Sequence, residues 1–144
     1  HISRANPQAK NLELIDNVLC IFNGPHAYIS SSWYKEEEVP TWNYIAVHIY
    51  GKLQILTEEE VMASLYKLVD KYEKNSKKPI SLNDMSEKTL RQVKGVVGFQ
   101  ISIDEIQATY KLSQTRPEDQ SKIISELEKT NETNALKIAK AMKK

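Results

Sequence analysis

The chain has 144 residues, with 20 lysines and arginines against 19 acidic residues, and a single cysteine. The length fits one domain with its own core, and the net charge of +1 excludes a chain built mainly to neutralise phosphates. Cys20 excludes an internal disulfide and, within the apolar run VLCIF, is typical of a small core residue in a reducing compartment.

The sequence carries no sign of a membrane or export segment. No apolar run approaches the roughly 18 residues that are needed to cross a bilayer, and no signal peptide is recognisable. We therefore expect a cytoplasmic protein without a membrane partner. Because the sequence opens on His1 and not on Met, we also expect a fragment whose front is missing, by a number of residues that the sequence does not give.

The first elements are predicted to be a short helix and a hairpin. Asn6 followed by Pro7 matches the N-cap and first position of a helix over residues 7–15. Residues 18–22 and 26–30 are two short β-rich runs on either side of Asn-Gly-Pro. Turn-forming residues between two such runs predict a hairpin.

One long strand is predicted next, over residues 42–56. Alternation gives one of its faces to Tyr44, Ala46, His48 and Tyr50. Gly51 indicates a bulge or bend. Together with the preceding segment NGPHAYISSSWY, this strand holds both tryptophans of the chain. Aromatic bodies with polar tips predict a wall that is both packed and hydrated.

The second half of the chain is predicted to be mostly helical. The run TEEE from Thr57 is a capping box, followed by apolar residues at helical spacing. A short helix over residues 86–93 precedes a strand over residues 95–112. A second capping box at residues 115–118 leads into another helix, and a last helix begins near Glu132. Strands first and helices later indicate an α+β fold built on an antiparallel sheet or barrel.

Few residues are candidates for catalysis or metal binding. The three histidines, at positions 1, 26 and 48, lack the spacing of a zinc site and are better explained as residues satisfied by neighbours. No GxSxG elbow, GxGxxG turn or P-loop is present in the sequence. We therefore assign no catalytic residue and no metal ligand.

One candidate binding site lies in the segment SRANP, at the start of the first helix. Ser3 supplies a hydroxyl and Arg4 a forked guanidinium, next to helix N–H groups that have no intrahelical partner. These groups together could hold an anion. Alternatively, Arg4 makes an ordinary surface pair and Ser3 caps the chain locally.

A second candidate is a basic stripe on the last helix, formed by Lys137, Lys140 and Lys144 with Lys143 beside it. One interpretation is a phosphate-contacting helix, paired with the helix over residues 117–127 as in a helix-turn-helix. The other is a solvated face, since lysines are favourable at a helix C-terminus. No base-reading Arg, Asn or Gln accompanies the lysines, which favours the solvated face.

Three segments together identify a family resemblance. They are SRANPQ near the start, GPHAYISSSWY followed by VPTWNYIAVHIYG, and KLSQTRPEDQ from Lys111. In this order and at these distances they resemble the PaiB family, known from bacilli as negative regulators of sporulation and of degradative-enzyme synthesis. The chain departs from the family pattern YISPSWY at one position, where Ser31 replaces the proline.

The resemblance implies an FMN-binding split barrel, an antiparallel barrel with C-terminal helices, of which this chain is the C-terminal portion with the N-terminal strands missing. It implies a single domain, with barrel strands and a linking helix in residues 1–56 and helices plus a further strand region in residues 57–144. It also implies a homodimer with cofactor sites at the interface. By position, Ser3 and Arg4 inherit contact with the flavin phosphate, but the missing strand leaves this pocket incomplete. We therefore expect little FMN to be retained.

Three functions remain open at this stage. The resemblance favours a PaiB-like negative transcriptional regulator, a repressor with or without flavin. The alternative is an FMN-dependent oxidoreductase of the pyridoxamine-phosphate oxidase or flavin reductase type. A third interpretation is a binding module that has kept only the scaffold, since fold alone does not determine function.

Overall fold

The computed structural model describes residues 1–143. Within this range the chain forms strands, α-helices and three short 3₁₀ turns in a mixed order. The strands are β1 (Ile2–Ser3), β2 (Asn17–Ile29), β3 (Thr41–Ile55), β4 (Val96–Val97) and β5 (Phe99–Lys111). The α-helices are α1 (Gln8–Leu12), α2 (Glu58–Glu73), α3 (Glu87–Leu90), α4 (Pro117–Lys129) and α5 (Thr133–Met142). The 3₁₀ turns are Ser31–Trp33, Leu82–Asp84 and Arg91–Gly95.

The strands of residues 1–143 form two antiparallel sheets and no closed barrel. β1 pairs with β4, and the longer strands form a three-stranded sheet in the order β2-β3-β5. The fold is therefore α+β, as the sequence predicted. The long strand predicted over residues 42–56 is confirmed as β3, and the strand predicted over residues 95–112 is confirmed in β4 and β5.

The chain divides into two compact units, each of which includes parts of the long strands. Unit 1 contains His1–Val18 and Tyr50–Asp104, and unit 2 contains Leu19–Ile49 and the chain from Glu105 onward. Unit 1 buries a small set of apolar side chains: Ala9, Leu12, Val61, Leu82 and Val97. The single domain expected over residues 1–144, with a division near residue 57, stays a prediction.

The core of unit 2 is formed mainly where α4 and α5 pack together. Ile123 and Leu127 of α4 and Ile138 of α5 are almost fully buried, and Ile29 at the end of β2 joins the same cluster. Apolar residues at helical spacing on both helices explain this packing. The predicted helix starting near Glu132 is confirmed, because Glu132 is the N-cap of α5.

The predicted hairpin around Asn-Gly-Pro is wrong, because β2 continues without a turn through Gly24 and Pro25. Gly24 is explained by the close approach of β3. A Cβ atom at this position would lie 2.8 Å from the carbonyl oxygen of Ile45, closer than side-chain atoms approach. Gly51 has the same role, since β3 continues through it and a Cβ there would collide with the carbonyl oxygen of Ser102. Gly24 and Gly51 therefore both mark close contact between strands, and β2 does not reverse direction at Gly24.

The predicted helix starts are correct in one case and wrong in another. Thr57 forms the expected capping box with Glu60, in which each side chain bonds the backbone N–H of the other residue. The capping box predicted at residues 115–118 is wrong, because α4 begins with Pro117 after Arg116, which makes no side-chain cap. Proline at the first helical position replaces the cap, since its backbone nitrogen has no proton to satisfy.

The first helix is shorter than predicted, at Gln8–Leu12 instead of residues 7–15. Asn6 still acts as a cap, because its Oδ1 accepts a hydrogen bond from the backbone N–H of Gln8 at 2.9 Å. Helix α1 then ends where Leu14 and Ile15 are exposed, so no buried face extends it.

Candidate functional site

Ser3 and Arg4 are positioned by the small sheet of unit 1. Ser3 lies opposite Val96 in the pairing of β1 with β4. The backbone N–H of Arg4 then donates to the carbonyl of Gly95 at 2.7 Å. The predicted anion-binding residues are therefore attached to the segment just before β4, which sequence spacing could not indicate.

The guanidinium of Arg4 is held by two backbone carbonyls. Its Nε donates to Lys94 O at 3.1 Å, and its Nη2 donates to Val96 O at 3.2 Å. Within residues 1–143 the guanidinium makes these two hydrogen bonds, and its Nη1 atom takes part in neither of them. Arg4 is exposed, so a pre-positioned Nη1 can donate to an external anion.

The hydroxyl group of Ser3 can still donate a hydrogen bond to a ligand. Its Oγ accepts a hydrogen bond from the backbone N–H of Ala5 at 3.3 Å. A serine hydroxyl can accept one bond and donate another. The first helix adds little to this pair, because α1 has five residues and its first N–H groups, at Gln8 and Ala9, already donate to Asn6.

The cavity beside Arg4 is small and of mixed charge. It has a volume of about 90 Å³, and its charged lining residues are Arg4, Lys94, Glu13 and Glu58. Pockets that enclose drug-sized ligands are about 300 Å³ or larger. The chemistry of Ser3 and Arg4 fits a phosphate, but this cavity does not enclose a flavin ring.

The aromatic residues of unit 2 form a second candidate site. The ring centroid of Trp42 lies 5.8 Å from that of His26 and 5.9 Å from that of Tyr28, the latter in edge-to-face contact. Within residues 1–143, no three His, Cys, Asp or Glu side chains come together as metal ligands would. The contacts of Trp42 with His26 and Tyr28 form an aromatic wall, which the concentration of aromatic residues in the sequence predicted.

The basic stripe on α5 is partly paired. Lys137 and Lys140 are exposed, whereas Lys143 Nζ lies 2.5 Å from the Glu128 carboxylate of α4. Lys144 lies outside the described residues. Two exposed lysines on one helix can contact a phosphate backbone, but they carry no sequence information.

Residues within or next to two of the segments that carry the resemblance meet in unit 2. Asp119 Oδ1 accepts from the backbone N–H of Lys35 at 2.8 Å, and Lys122 Nζ donates to Ser32 O at 2.9 Å. Arg116 and Glu38 add an ion pair. These contacts hold the first half of α4 to the turn after β2 and to the residues that follow this turn.

Comparison with known proteins finds one matching family model and several similar proteins. Residues 1–105 match the family model described as "Putative FMN-binding domain". The chain is 46% identical over 144 residues to "Protease synthase and sporulation protein PAI 2" of Bacillus subtilis, covering 99% of this chain and 70% of that protein. An uncharacterized protein of Emericella nidulans is 34% identical, over 79% of this chain and 59% of its own length. An uncharacterized protein of Aspergillus fumigatus is 30% identical, over 99% of this chain and 70% of its own length.

Among the helices of residues 1–143, none combines the length and the apolar character that crossing a bilayer requires.

Proposed function

Since this chain belongs to the PaiB family, we propose that it acts in a negative transcriptional regulator built on an FMN-binding split-barrel scaffold. The identity of 46% with the Bacillus subtilis sporulation protein carries the proposal, because it extends over 99% of the chain. The same proposal includes a cytoplasmic location, where the transcribed genes are. Repression of sporulation and degradative-enzyme genes is the activity expected of the protein.

We assign the phosphate of FMN to Ser3 and Arg4. Two carbonyls already orient the Arg4 guanidinium, so little side-chain entropy is lost when Nη1 binds a phosphate. The hydroxyl of Ser3 donates a hydrogen bond to the same phosphate. Bound FMN supplies a ring that can take up or release electrons. A regulator can use the redox state of this ring as a switch.

The rest of the flavin site lies outside the small cavity beside Arg4. A cavity of about 90 Å³ does not enclose the ring system. We therefore propose that a second copy of the chain, or strands that complete the barrel, supply the remaining walls. On this basis the 144-residue chain by itself is expected to retain little FMN.

Gene regulation is tested in Bacillus subtilis by exchanging part of its PAI 2 protein for this chain. The matched part of the PAI 2 protein is replaced by this chain, and transcripts of extracellular-protease genes are compared with those in a strain lacking the protein. Restored repression supports the proposal. Protease transcripts as high as in the deletion strain, despite normal levels of the chimeric protein, would contradict it.

Flavin chemistry is tested on the same purified chimera. Oxidation of NADH or NADPH that depends on added FMN, at a steady rate over many turnovers, identifies the oxidoreductase alternative. Flavin binding without turnover agrees with the regulator.

A further inference from the structure

Unit 2 contains a cleft that is lined in part by a group of aromatic side chains. The cleft has a volume of about 370 Å³, within the range of small-molecule pockets. Strands β2 and β3 contribute aromatic side chains, and residues from the end of α4 to the start of α5 also line the cleft. The aromatic residues that line it are His26, Tyr28, Trp33 and Trp42.

The rings stand at large angles to one another and remain open to solvent. The planes of Tyr28 and Trp42 are inclined by 70°, and those of His26 and Trp42 by 47°. Trp42 is 52% exposed and Tyr28 47% exposed, so neither ring is buried in the core and both can contact a ligand. Inclined aromatic rings around a cleft are the arrangement that binds ammonium groups through the negative potential of the ring faces.

The charge of the cleft also favours a cation. Among the described residues that line it, Glu132 carries the only formal charge when histidine is neutral. Its backbone is held in place, because its N–H donates to Thr130 Oγ1 at 3.2 Å and it precedes the first turn of α5. Within residues 1–143, no lysine or arginine lines the cleft, so a phosphate-bearing ligand such as FMN finds no counter-charge there.

We propose that this cleft binds a small organic cation. The ammonium group lies against Trp42 and Tyr28, and the carboxylate of Glu132 neutralises its charge. Asn134 offers an amide to a polar group elsewhere on the ligand. This site is separate from the residues assigned to FMN and does not depend on the proposed function.

Both tryptophans of the chain line the cleft, so that intrinsic fluorescence reports on ligand binding. The 144-residue protein is titrated with choline near pH 8, where histidine side chains are generally neutral. The matched control ligand is 3,3-dimethylbutan-1-ol, which has the shape of choline without its charge. We expect choline to bind with a dissociation constant of about 1 to 10 mM, and the neutral analogue at least about fivefold more weakly.

Variants locate the binding site. Glu132→Gln removes the charge at constant size, and the dissociation constant for choline should rise about three- to tenfold. Glu118→Gln is the matched control, because this exposed residue of α4 lies outside the cleft lining. Trp42→Leu should weaken choline binding by about tenfold or more, with circular dichroism confirming that the variant is folded.

Four results would overturn the proposal, the first three of which concern choline affinity and the glutamate variants. These three are the absence of any fluorescence change up to about 50 mM choline, equal affinities for choline and its neutral analogue, and equal effects of Glu132→Gln and Glu118→Gln. A dissociation constant unchanged by Trp42→Leu would also place the cation elsewhere.

Discussion

Asp119 accepts a hydrogen bond from the backbone N–H of Lys35 at 2.8 Å, although 84 positions separate the two residues in the sequence. The carboxylate of Asp119 is in the first turn of α4, and the residue is 5% exposed. The N–H of Lys35 lies just beyond the turn Ser31–Trp33, and the bond is partly buried. One buried carboxylate therefore fixes the turn after β2 to the start of a helix.

This contact predicts a specific loss of stability. Asp119→Ala leaves the N–H of Lys35 without its acceptor, which should lower the free energy of unfolding by about 1 to 3 kcal/mol. Glu118→Ala changes the neighbouring, exposed carboxylate and should cost less than about 0.5 kcal/mol. Urea unfolding followed by tryptophan fluorescence measures both variants, and equal midpoints would contradict the role given to Asp119.

The end of α4 gives a second stability prediction. Asn131 follows the C-cap Thr130 and has a φ of 56°, in the left-handed region. Only glycine and, less well, asparagine adopt this conformation easily after a helix. Asn131→Ala should therefore destabilise the protein by about 1 kcal/mol, whereas Asn131→Gly should be neutral or slightly stabilising. Thermal unfolding compares the two, and a higher melting temperature for alanine than for glycine would contradict this explanation.

The helix start at Thr57 and the long strand β3 could be predicted because their signals are local. The capping box of Thr57 and Glu60 lies within four residues, and the alternation of β3 is contained in the strand itself. Asn-Gly-Pro before His26 is also a local turn signal, but here the local signal was misleading. Gly24 is required by the carbonyl of Ile45 on a neighbouring strand, and no local pattern contains this information.

The candidate sites show the same limit. Residue type and order predict a site at Ser3 and Arg4, but the two carbonyls that bind Arg4 come from residues about 90 positions later. Glu132 was predicted only as the start of a helix. Its place in the same cleft as Trp42 depends on how α4 and α5 pack, which a single sequence does not reveal.

The exposed lysines of α5 give a prediction about DNA. If the protein binds DNA through Lys137, Lys140 and Lys144, replacing them by alanine should weaken binding to all sequences alike. The slope of log affinity against log salt should become shallower by about 0.9 for each phosphate that the variant no longer neutralises. Lys143→Ala is the control variant. Because Lys143 pairs with Glu128, this change should affect DNA affinity less than the triple replacement does. A selective weakening at one operator, measured by fluorescence anisotropy, would show base readout instead.

Exposed apolar residues in unit 2 predict a homodimer. Ile21 and Phe22 are 54% and 58% exposed, and they lie on β2, an edge strand of the three-stranded sheet. Exposed apolar edge strands are normally covered by another chain or element. Light scattering of the purified protein should give twice the chain mass of 16.5 kDa, and Ile21→Lys should shift it toward the monomer. A monomer mass at micromolar concentration for the wild type would contradict the dimer.

The last prediction concerns Arg4 and the phosphate of FMN. It is measured on the PAI 2 chimera, which contains the part of the relative that this chain does not span. Arg4→Ala removes a charge-assisted hydrogen bond, and such bonds contribute roughly 1.5 to 3 kcal/mol. The dissociation constant for FMN, measured by flavin fluorescence, should therefore rise by about one to two orders of magnitude.

Riboflavin and a second arginine provide the controls. Riboflavin lacks the phosphate, so it should bind the Arg4→Ala variant and the wild type equally. Arg91→Ala removes an exposed guanidinium that pairs with Glu87, and it should leave FMN binding unchanged. Equal weakening of FMN and riboflavin by Arg4→Ala would instead indicate damage to the contacts with Lys94 and Val96. Tight FMN binding that is insensitive to Arg4→Ala would place the cofactor elsewhere in the protein.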